Sequence, residues 1–326
     1  MKVQEIDIKE NFLNEHFHEV LEILLKDRSS DKNIIWATKD YEHLGKGFEE
    51  KSEILEELIT EDNGEVIKPR VEKTKSQTSL RTRDTGEVFT PSWICNKQNN
   101  LIDNSWFGYE NVFNEEKDNA WITNEAPVKF PEDKTWKDYV LDTRLEITCG
   151  EAPYITSRYD TVTGEFIEIK DRIGLLDRKL RVVSENADDK REWLRWSKKA
   201  LQNTYGYEYQ GDNLFLAREN ILFAYIDYHN NQFNKNPDTK MLCEIAEIIS
   251  WNIWQMDALK YVVPLSCNKE KRGQMTLFGE AAEPECQGCK TGKVDKHNGI
   301  YCKVKDWNTG NIVKFIDLIK EGEQND

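Results

Sequence analysis

The apolar positions in the first part of the chain predict two helices separated by a short strand. Apolar residues recur at helical spacing across residues 1–28, and a polar Arg-Ser-Ser-Asp run ends this pattern. A short apolar run at residues 34–37 predicts a strand. Helical spacing returns at residues 48–59 and stops at an Asp-Asn-Gly turn. We therefore expect residues 1–80 to form a mostly helical N-terminal region.

Between residues 140 and 263 the pattern alternates between strand and helix. Short apolar runs that predict strands lie at residues 140–147, 205–208 and 248–254. Segments with helical spacing separate them, at residues 173–180, 192–204, 209–229 and 240–249. This alternation predicts an α/β fold with a parallel sheet. We assign it to a domain of residues 81–265, which also contains an irregular, lid-like insertion at residues 104–136.

Two predicted strands end in a carboxylate, which suits a nucleotide-containing ligand. Glu146 ends the first strand, and a tight turn containing Cys149 and Gly150 follows it. A glycine at this point lets the backbone approach a ligand closely. Glu208 ends the second strand, where a carboxylate can accept hydrogen bonds from both ribose hydroxyls. The alternative is an ordinary strand-to-helix turn and a strand-end Glu without a ligand.

The Thr-Pro-Ser run at residues 90–92 predicts the start of a helix. Proline is favoured at the first helical position, and the Thr90 hydroxyl can cap free N–H groups. This is either a capped helix only or an anion site at the helix N-terminus.

Basic residues concentrate just before this helix, between residues 68 and 83. Six Lys and Arg side chains stand there against a single acidic one, in an otherwise acidic chain. The segment is either a solvated linker or a phosphate-contacting segment beside a binding cleft.

The C-terminal part, residues 266–326, carries a pattern typical of a small zinc-ribbon-like segment. Cys286 and Cys289 form a Cys-x2-Cys pair, and Cys302 follows at a distance found in metal sites. Cys267 and His297 are alternatives for the fourth ligand. We therefore expect zinc or another thiophilic metal here, and the alternative is a set of reduced cysteines without a metal.

Composition and charge are those of a globular, acidic protein. The chain has 326 residues, of which 38% are hydrophobic and 11% aromatic, so it can build a core and is not globally disordered. The net charge of −15 argues against a surface coated in basic side chains for nucleic acid. A local basic groove remains compatible with that charge.

Compartment and membrane features are also predicted from the sequence. No apolar stretch approaches the ~18 residues that a membrane span requires, and the N-terminus lacks a signal-peptide core. Seven cysteines, scattered or clustered at the C-terminus, fit a reduced protein with a metal site better than a disulfide framework. We expect a cytoplasmic protein that does not contact a membrane.

Three of these motifs, taken in order, carry a resemblance to a known family. They are the runs Gly-Glu-Val-Phe-Thr-Pro at residues 86–91, Leu-Glu-Ile-Thr-Cys-Gly at 145–150 and Tyr-Gly-Tyr-Glu at 205–208. The chain resembles the adenine-specific DNA methyltransferases of bacterial restriction-modification systems, in particular the modification subunits described as restriction endonuclease subunit M. The resemblance covers about residues 80–265, and it implies a Rossmann-like sheet that binds S-adenosylmethionine.

The resemblance also implies a role for individual residues. Thr90 would hold the methionine carboxylate, and Glu146 would lie near the methionine amino group. Gly150 would let the turn approach the cofactor. Glu208 would accept from the ribose, and Asp257 would contact the adenine amino group.

The sequence departs from this family in the cofactor loop and in the catalytic motif. Ile147 stands where the family has proline, and Ala152 where it has a second glycine. The Asn-Pro-Pro-Tyr motif, which holds the flipped adenine in that family, has no counterpart, because the chain contains no Pro-Pro pair. No residue here is given a catalytic role.

These departures leave more than one hypothesis for the function. One is the cofactor-binding subunit of a DNA adenine methyltransferase, which needs a partner chain for catalysis and target recognition. The alternative is a catalytically inactive module that binds nucleic acid or a protein partner. A different Rossmann-like enzyme is disfavoured because the chain lacks Gly-x-Gly-x-x-Gly.

Overall fold

The computed structural model describes residues 10–73, 81, 90–267, 275–276, 279–280 and 286–323, and it is a mixed α/β fold. The helices in these residues are α1 Glu10–Leu25, α2 Ser92–Phe107, α3 Trp136–Leu141, α4 Leu175–Asn186, α5 Lys190–Gln202, α6 Gly211–Phe233, α7 Thr239–Asn252, α8 Gln287–Thr291 and α9 Phe315–Glu323. The strands are β1 Lys26–Asp27, β2 Lys32–Asn33, β3 Asn114–Lys117, β4 Ala120–Thr123, β5 Arg144–Glu146, β6 Thr204–Glu208, β7 Ile253–Gln255, β8 Met275–Thr276, β9 Gly279–Glu280, β10 Lys303–Lys305 and β11 Ile312–Lys314.

Strands β5, β6 and β7 form a three-stranded parallel sheet in that order. Helices α4 and α5 connect β5 to β6, and α6 and α7 connect β6 to β7. The parallel sheet predicted from the alternating pattern is thus confirmed for these strands. Because parallel strands present their carboxyl ends at one edge, the segments that follow Glu146 and Glu208 meet there.

Helix α6 is the central helix of the main core. It is buried along most of its 23 residues, so apolar side chains on all its faces contact other elements. Aspartates cap the helices on either side of it, because Asp189 accepts from an N–H at the start of α5 and Asp238 does so at the start of α7. Among the described residues, none of the helices combines the length and the apolar character needed to cross a membrane.

The helix predicted at residues 48–59 does not form. Its backbone instead pairs with the chain at residues 34–36: the Ile54 N–H donates to the Ile34 carbonyl at 2.8 Å, and the Trp36 N–H donates to the Ser52 carbonyl at 3.1 Å. Only one turn of 3-10 helix, Glu56–Leu58, lies in this region. Apolar side chains at helical spacing are buried here because the loop folds onto the core around Trp36.

Four further boundaries differ from the sequence-based prediction. Of the strand predicted at residues 140–147, residues 140–141 belong to α3, and β5 begins only at Arg144. The insertion at residues 104–136 contains the antiparallel hairpin β3–β4. Helix α7 continues to Asn252, so the third parallel strand begins only at Ile253. Residues 312–314 form a strand rather than the start of the last helix, which begins at Phe315. In the last two cases an apolar run spans the junction between a helix and a strand, and periodicity does not locate such a junction.

The C-terminal segment packs on the parallel sheet through a second hydrophobic core. Tyr207 of β6 and Trp254 of β7 contact Phe315 of α9, and Cys302 and Val304 belong to the same buried cluster. The hairpin β10–β11 is therefore fixed to the sheet by apolar contacts.

Lys179 of α4 has a buried amino group that joins the ends of two helices. Its side chain is fully buried, and its ammonium group donates to the Asp142 carbonyl and, at 2.9 Å, to the Asn203 carbonyl. These two carbonyls follow α3 and α5, at positions where helices leave acceptors unsatisfied. Burial, together with the nearby Arg144 guanidinium, lowers the pKa of Lys179 from 10.5 to about 7.

Because of Lys179, we expect the free energy of unfolding to increase by about 2 kcal/mol when the pH is raised from 7 to 9. In that window the unfolded chain keeps the Lys179 proton and the folded chain has lost it, so raising the pH disfavours unfolding. Lys179→Met should remove this increment, whereas exposed Lys170→Met should keep it. Denaturant titrations at both pH values measure the difference, and an equal pH dependence in wild type and Lys179→Met would contradict the assignment.

Candidate functional site

A cavity of about 840 Å³ lies at the carboxyl edge of the parallel sheet. Its wall combines the turn after β5, the turn after β6 and one face of α2. Thr90, Glu146, Gly150 and Glu208, four of the residues predicted to bind a cofactor, line it. Thr90 and Glu208 therefore line the same cavity, although they are 118 positions apart in the sequence.

Glu146 is buried at the end of β5, and the turn that follows satisfies its carboxylate. Oε2 accepts from the Ile155 N–H at 3.1 Å, and Oε1 accepts from the Tyr154 N–H at 3.5 Å. Burial raises the pKa of Glu146 well above its usual value, and the neighbouring Glu208 carboxylate raises it further. The site thus holds two carboxylates close enough to interact.

Glu208 is buried at the end of β6 and connects the two turns. Oε2 accepts from the Gly150 N–H at 2.9 Å, and Oε1 accepts from the Gln210 N–H at 3.1 Å. Burial raises the pKa of Glu208, although these backbone N–H groups act in the opposite direction. The Tyr209 N–H also bonds this carboxylate, and since a carboxylate has about four acceptor positions, capacity for a ligand hydroxyl remains.

The turn between β5 and the cavity has an unusual backbone. Thr148, Gly150 and Ala152 have φ values of +47°, +53° and +62°, all in the left-handed region. Only glycine adopts this conformation without strain, so Thr148 and Ala152 carry a conformational cost. Ala152 therefore has the backbone conformation that glycine favours, at the position where the resembled family has its second glycine.

Sequence reasoning missed Glu151, which also lines the cavity. It is 1% exposed, and its carboxylate accepts from the Arg70 N–H at 2.7 Å and from the Tyr159 hydroxyl at 2.8 Å. Its position next to Gly150 was the only signal in the sequence. With Glu146 and Glu208 it gives the wall three acidic side chains. None of the described residues that line the cavity is Lys, Arg or His.

Thr90 lines the cavity, but it does not cap α2. The carboxylate of Asp160 accepts from the Ser92 N–H at 2.7 Å, and no side-chain cap comes from the residue before the helix. The predicted Thr90 cap is therefore wrong, because a distant aspartate supplies the acceptor. The hypothesis of an anion site is not supported either, since a carboxylate of the chain itself already binds this helix end.

Asp257 does not line the cavity. Its Oδ2 pairs with the Lys260 ammonium at 2.6 Å, and its Oδ1 accepts from the Leu259 N–H at 3.1 Å. Asp257 also pairs through its backbone with Val262, which in turn pairs with Tyr301. In this structure the residue connects the end of β7 to the C-terminal segment.

The described part of the basic segment contacts carboxylates of the chain. Lys68 pairs with Glu65 at 2.9 Å. Lys73 and Arg81 both contact Asp212, which is fully buried in the first turn of α6. Burial alone would raise the pKa of Asp212, but these two cations hold it well below its usual value. These contacts favour a structural role over phosphate binding. The rest of the basic segment, residues 74–80 and 82–83, lies outside the described residues. Residues 86–89 of the first family motif also lie outside them.

A second cluster lies in the C-terminal segment and consists of Cys267, Cys286, Cys289 and His297. All four potential ligand atoms lie within 4.8 Å of one another. The three Sγ atoms are 3.5, 3.5 and 3.7 Å from Nδ1 of His297. Tetrahedral zinc with ordinary bond lengths would separate sulfur and nitrogen ligands by about 3.6 Å. The residues therefore fit a metal such as zinc in a four-ligand, Cys3His site.

The geometry of the cluster bears on the choice between Cys267 and His297 as the fourth ligand. Cys267 and His297 both belong to the cluster, so they do not compete for one position. Cys302, which was expected to be a ligand, lies elsewhere: it is fully buried, and its thiol donates to the Gln255 carbonyl at 3.3 Å. Spacing alone does not distinguish a ligand from a core cysteine, because both occur near a Cys-x2-Cys pair.

Thiol chemistry and close packing also suit a metal at the cluster. Burial alone would raise the pKa of Cys286, but backbone N–H groups of Cys289 and Asn298 lower it to about 6, so it is mostly thiolate near neutral pH. Burial and the neighbouring thiols raise the pKa of Cys267 to about 12. A Cβ at Gly288 would lie 2.5 Å from the His297 ring, so only glycine lets this ring approach.

Comparison with protein-family models, with curated proteins and with solved structures finds no match to this chain. A function for this chain is therefore inferred from its own residues and their geometry. Two sites emerge from them: a cavity with acidic walls at the sheet edge and a cysteine-histidine cluster in the C-terminal segment.

Proposed function

We propose that the chain binds S-adenosylmethionine in the cavity at the sheet edge. The observation that carries the proposal is the charge of the wall: Glu146, Glu151 and Glu208 line it, and no described lining residue is basic. The described contacts of the Glu146 and Glu208 carboxylates are with backbone N–H groups, and buried carboxylates held in this way favour a positively charged ligand. S-adenosylmethionine has a sulfonium and an ammonium group, and its ribose offers two hydroxyls.

The same charge pattern disfavours phosphate-bearing nucleotides. Phosphates bind where Lys, Arg or a free helix N-terminus supplies positive charge. No described residue that lines the wall is Lys or Arg, and Asp160 caps the N-terminus of α2. Dinucleotides and nucleoside triphosphates are therefore poor candidates.

Two further features support this ligand. Glu208 ends the second parallel strand beside the cavity, where a carboxylate can accept from ribose hydroxyls. The left-handed turn at residues 148–152 contains strain of the kind that clusters at ligand sites. Glu146, Gly150 and Glu208 would hold the cofactor, which supplies the methyl group.

We propose that the chain is the cofactor-binding subunit of a DNA adenine methyltransferase in a bacterial restriction-modification system, located in the cytoplasm. The ordered motifs of the sequence support this assignment. The missing Asn-Pro-Pro-Tyr motif implies that a partner chain contributes catalysis and target recognition. None of the seven cysteines, all of them among the described residues, is paired in a disulfide, which supports the proposal of a reducing compartment.

We propose a structural role for the metal in the Cys3His cluster and zinc as its identity. Four protein ligands fill a tetrahedral zinc site, whereas a catalytic site keeps one position open for water or substrate. The cluster lies next to the pairing between Val262 and Tyr301, which connects the C-terminal segment to the end of β7.

The experiment that tests the proposed function is an equilibrium titration of the purified chain with S-adenosylmethionine, with ATP as the phosphate-bearing control. We expect S-adenosylmethionine to bind and ATP to bind far more weakly. Because burial raises the pKa of Glu146 and Glu208, a cationic ligand should release protons on binding, and its affinity should increase with pH in the acidic range.

A further inference from the structure

The hairpin β10–β11 of the C-terminal segment has one apolar face and one basic face. Val304 lies opposite Val313, and both side chains pack in the hydrophobic cluster between the hairpin and the parallel sheet. Since side chains alternate along a strand, the residues that flank these valines point to the opposite face. That face, which we call the lysine face, consists of Lys303, Lys305, Ile312 and Lys314. It is open to solvent, because Ile312 is 53% exposed and Lys314 is exposed.

The lysine face brings three positive charges close together. Lys303 lies directly opposite Lys314 in the strand register, and Lys305 follows Lys303 two positions along the same strand. Side chains directly opposite on one face have Cβ atoms about 5 Å apart, and like charges in such a pair destabilise a sheet. The hairpin therefore forms with unfavourable electrostatic interactions on its outer face.

Carboxylates of the chain do not neutralise this charge. Among the described residues, none of the three lysines of this face forms an ion pair. The one acidic residue of the hairpin, Asp306, is bonded to the Thr309 hydroxyl and the Asn308 N–H within the turn. In a chain with a net charge of −15, uncompensated cations grouped on one face indicate a surface that binds an anionic partner.

Aromatic rings orient two of the three ammonium groups. Lys305 Nζ lies 4.5 Å from the centre of the Trp307 ring, and Lys314 Nζ lies 5.5 Å from the centre of the Tyr301 ring. A cation–π contact positions an ammonium group without cancelling its charge. The lysine face is therefore partly organised before a partner binds.

We propose that the lysine face binds the sugar-phosphate backbone of DNA. A DNA strand carries its phosphates in a closely spaced row, and lysines placed along one strand and across from it contact several phosphates at once. The inference rests on the proposed function for the identity of the nucleic acid. It adds a contact surface outside residues 80–265, the part of the chain to which the family resemblance is confined. Phosphate contacts position DNA without reading its sequence, so target recognition stays with the partner chain.

The test measures the binding of a labelled DNA duplex by fluorescence anisotropy over a series of salt concentrations. We expect the wild-type chain to bind, with an affinity that falls as salt increases. The triple variant Lys303→Gln, Lys305→Gln and Lys314→Gln should bind at least about tenfold more weakly at low salt. Its slope of log affinity against log salt should be smaller by about 2 to 3, because each lost phosphate contact removes about 0.9.

The matched control removes three charges from exposed lysines outside the C-terminal segment, with Lys117→Gln, Lys129→Gln and Lys170→Gln. It has the same net charge as the lysine-face variant, and it should keep the wild-type affinity within about threefold because distant charges are screened. Equal losses in the two triple variants, or wild-type affinity in the lysine-face variant, would overturn the proposal. If the lysine-face variant fails to fold, Lys314→Gln alone replaces it, and its salt slope should be smaller by about 0.9.

Two further measurements separate this proposal from its alternatives. Binding of vesicles that contain anionic lipid, without binding of DNA, would overturn the proposal in favour of a membrane surface. The lysine-face variant should bind S-adenosylmethionine as the wild-type chain does. A wild-type chain that binds S-adenosylmethionine but not DNA refutes the lysine face as a DNA surface, whereas one that binds DNA but not S-adenosylmethionine refutes the proposed function of the cavity.

Discussion

Replacing Cys289 with serine should remove the metal from the C-terminal cluster and lower the stability of the whole chain. Cys289 is exposed, so without a metal its loss would have almost no effect. With a structural zinc, whose binding contributes directly to folding, we expect a loss of at least about 3 kcal/mol. For a chain of this size that corresponds to roughly 4 °C in melting temperature.

Two measurements check this prediction. Elemental analysis of the wild-type chain should give about one zinc per chain, and Cys289→Ser should give far less. Cys243→Ser provides the matched control, because that half-buried thiol lies outside the cluster. A wild-type content below about 0.2 zinc per chain would contradict the metal site, since four-ligand structural sites are nearly filled.

Replacing Glu208 with glutamine should weaken the binding of S-adenosylmethionine at least tenfold, about 1.4 kcal/mol. The substitution keeps the volume of the side chain, and it removes the charge and one acceptor oxygen. Glu208 is the expected partner of the ribose hydroxyls, so affinity should fall. Stability should fall as well, because the amide nitrogen of glutamine would face the N–H of Gly150 or Gln210. Calorimetric titration measures the affinity, and thermal melting verifies that the variant is folded.

Exposed Glu165→Gln is the control for Glu208→Gln, because it makes the same chemical change at a residue that does not line the cavity. Thr90→Ala is also expected to weaken binding tenfold or more, since Thr90 lines the cavity. Wild-type affinity in both Glu208→Gln and Thr90→Ala would remove the cofactor assignment.

The parallel sheet and its strand ends were predictable because they depend on local pattern. Apolar runs of strand length that alternate with helical spacing locate β5, β6 and β7 to within a few residues. Glu146 and Glu208 then meet at one edge by the geometry of parallel strands. The sequence therefore predicts where the cavity lies, at the edge where these strands end.

Contacts between distant residues were not predictable from local pattern. The carboxylate that caps α2 comes from Asp160, 68 positions away, so the nearby Thr90 looked like the cap. Residues 48–59 have helical spacing, but their backbone pairs with residues 34–36, and this pairing outweighs helix propensity.

The C-terminal segment contains both a feature that local pattern predicts and one that depends on contacts between distant residues. The Cys-x2-Cys pair is a local signal, and it correctly located Cys286 and Cys289. Cys302 fits the same spacing rules, but it lies in the core between the sheet and α9. Only the three-dimensional arrangement separates a thiol that faces His297 from one that faces Gln255.

The titration of the purified chain with S-adenosylmethionine tests the central claim most directly. The acidic wall of the cavity predicts binding in the micromolar range, with proton release and with much weaker binding of ATP. Absence of binding up to millimolar concentration, or a preference for ATP, would contradict the assignment of this cavity to S-adenosylmethionine.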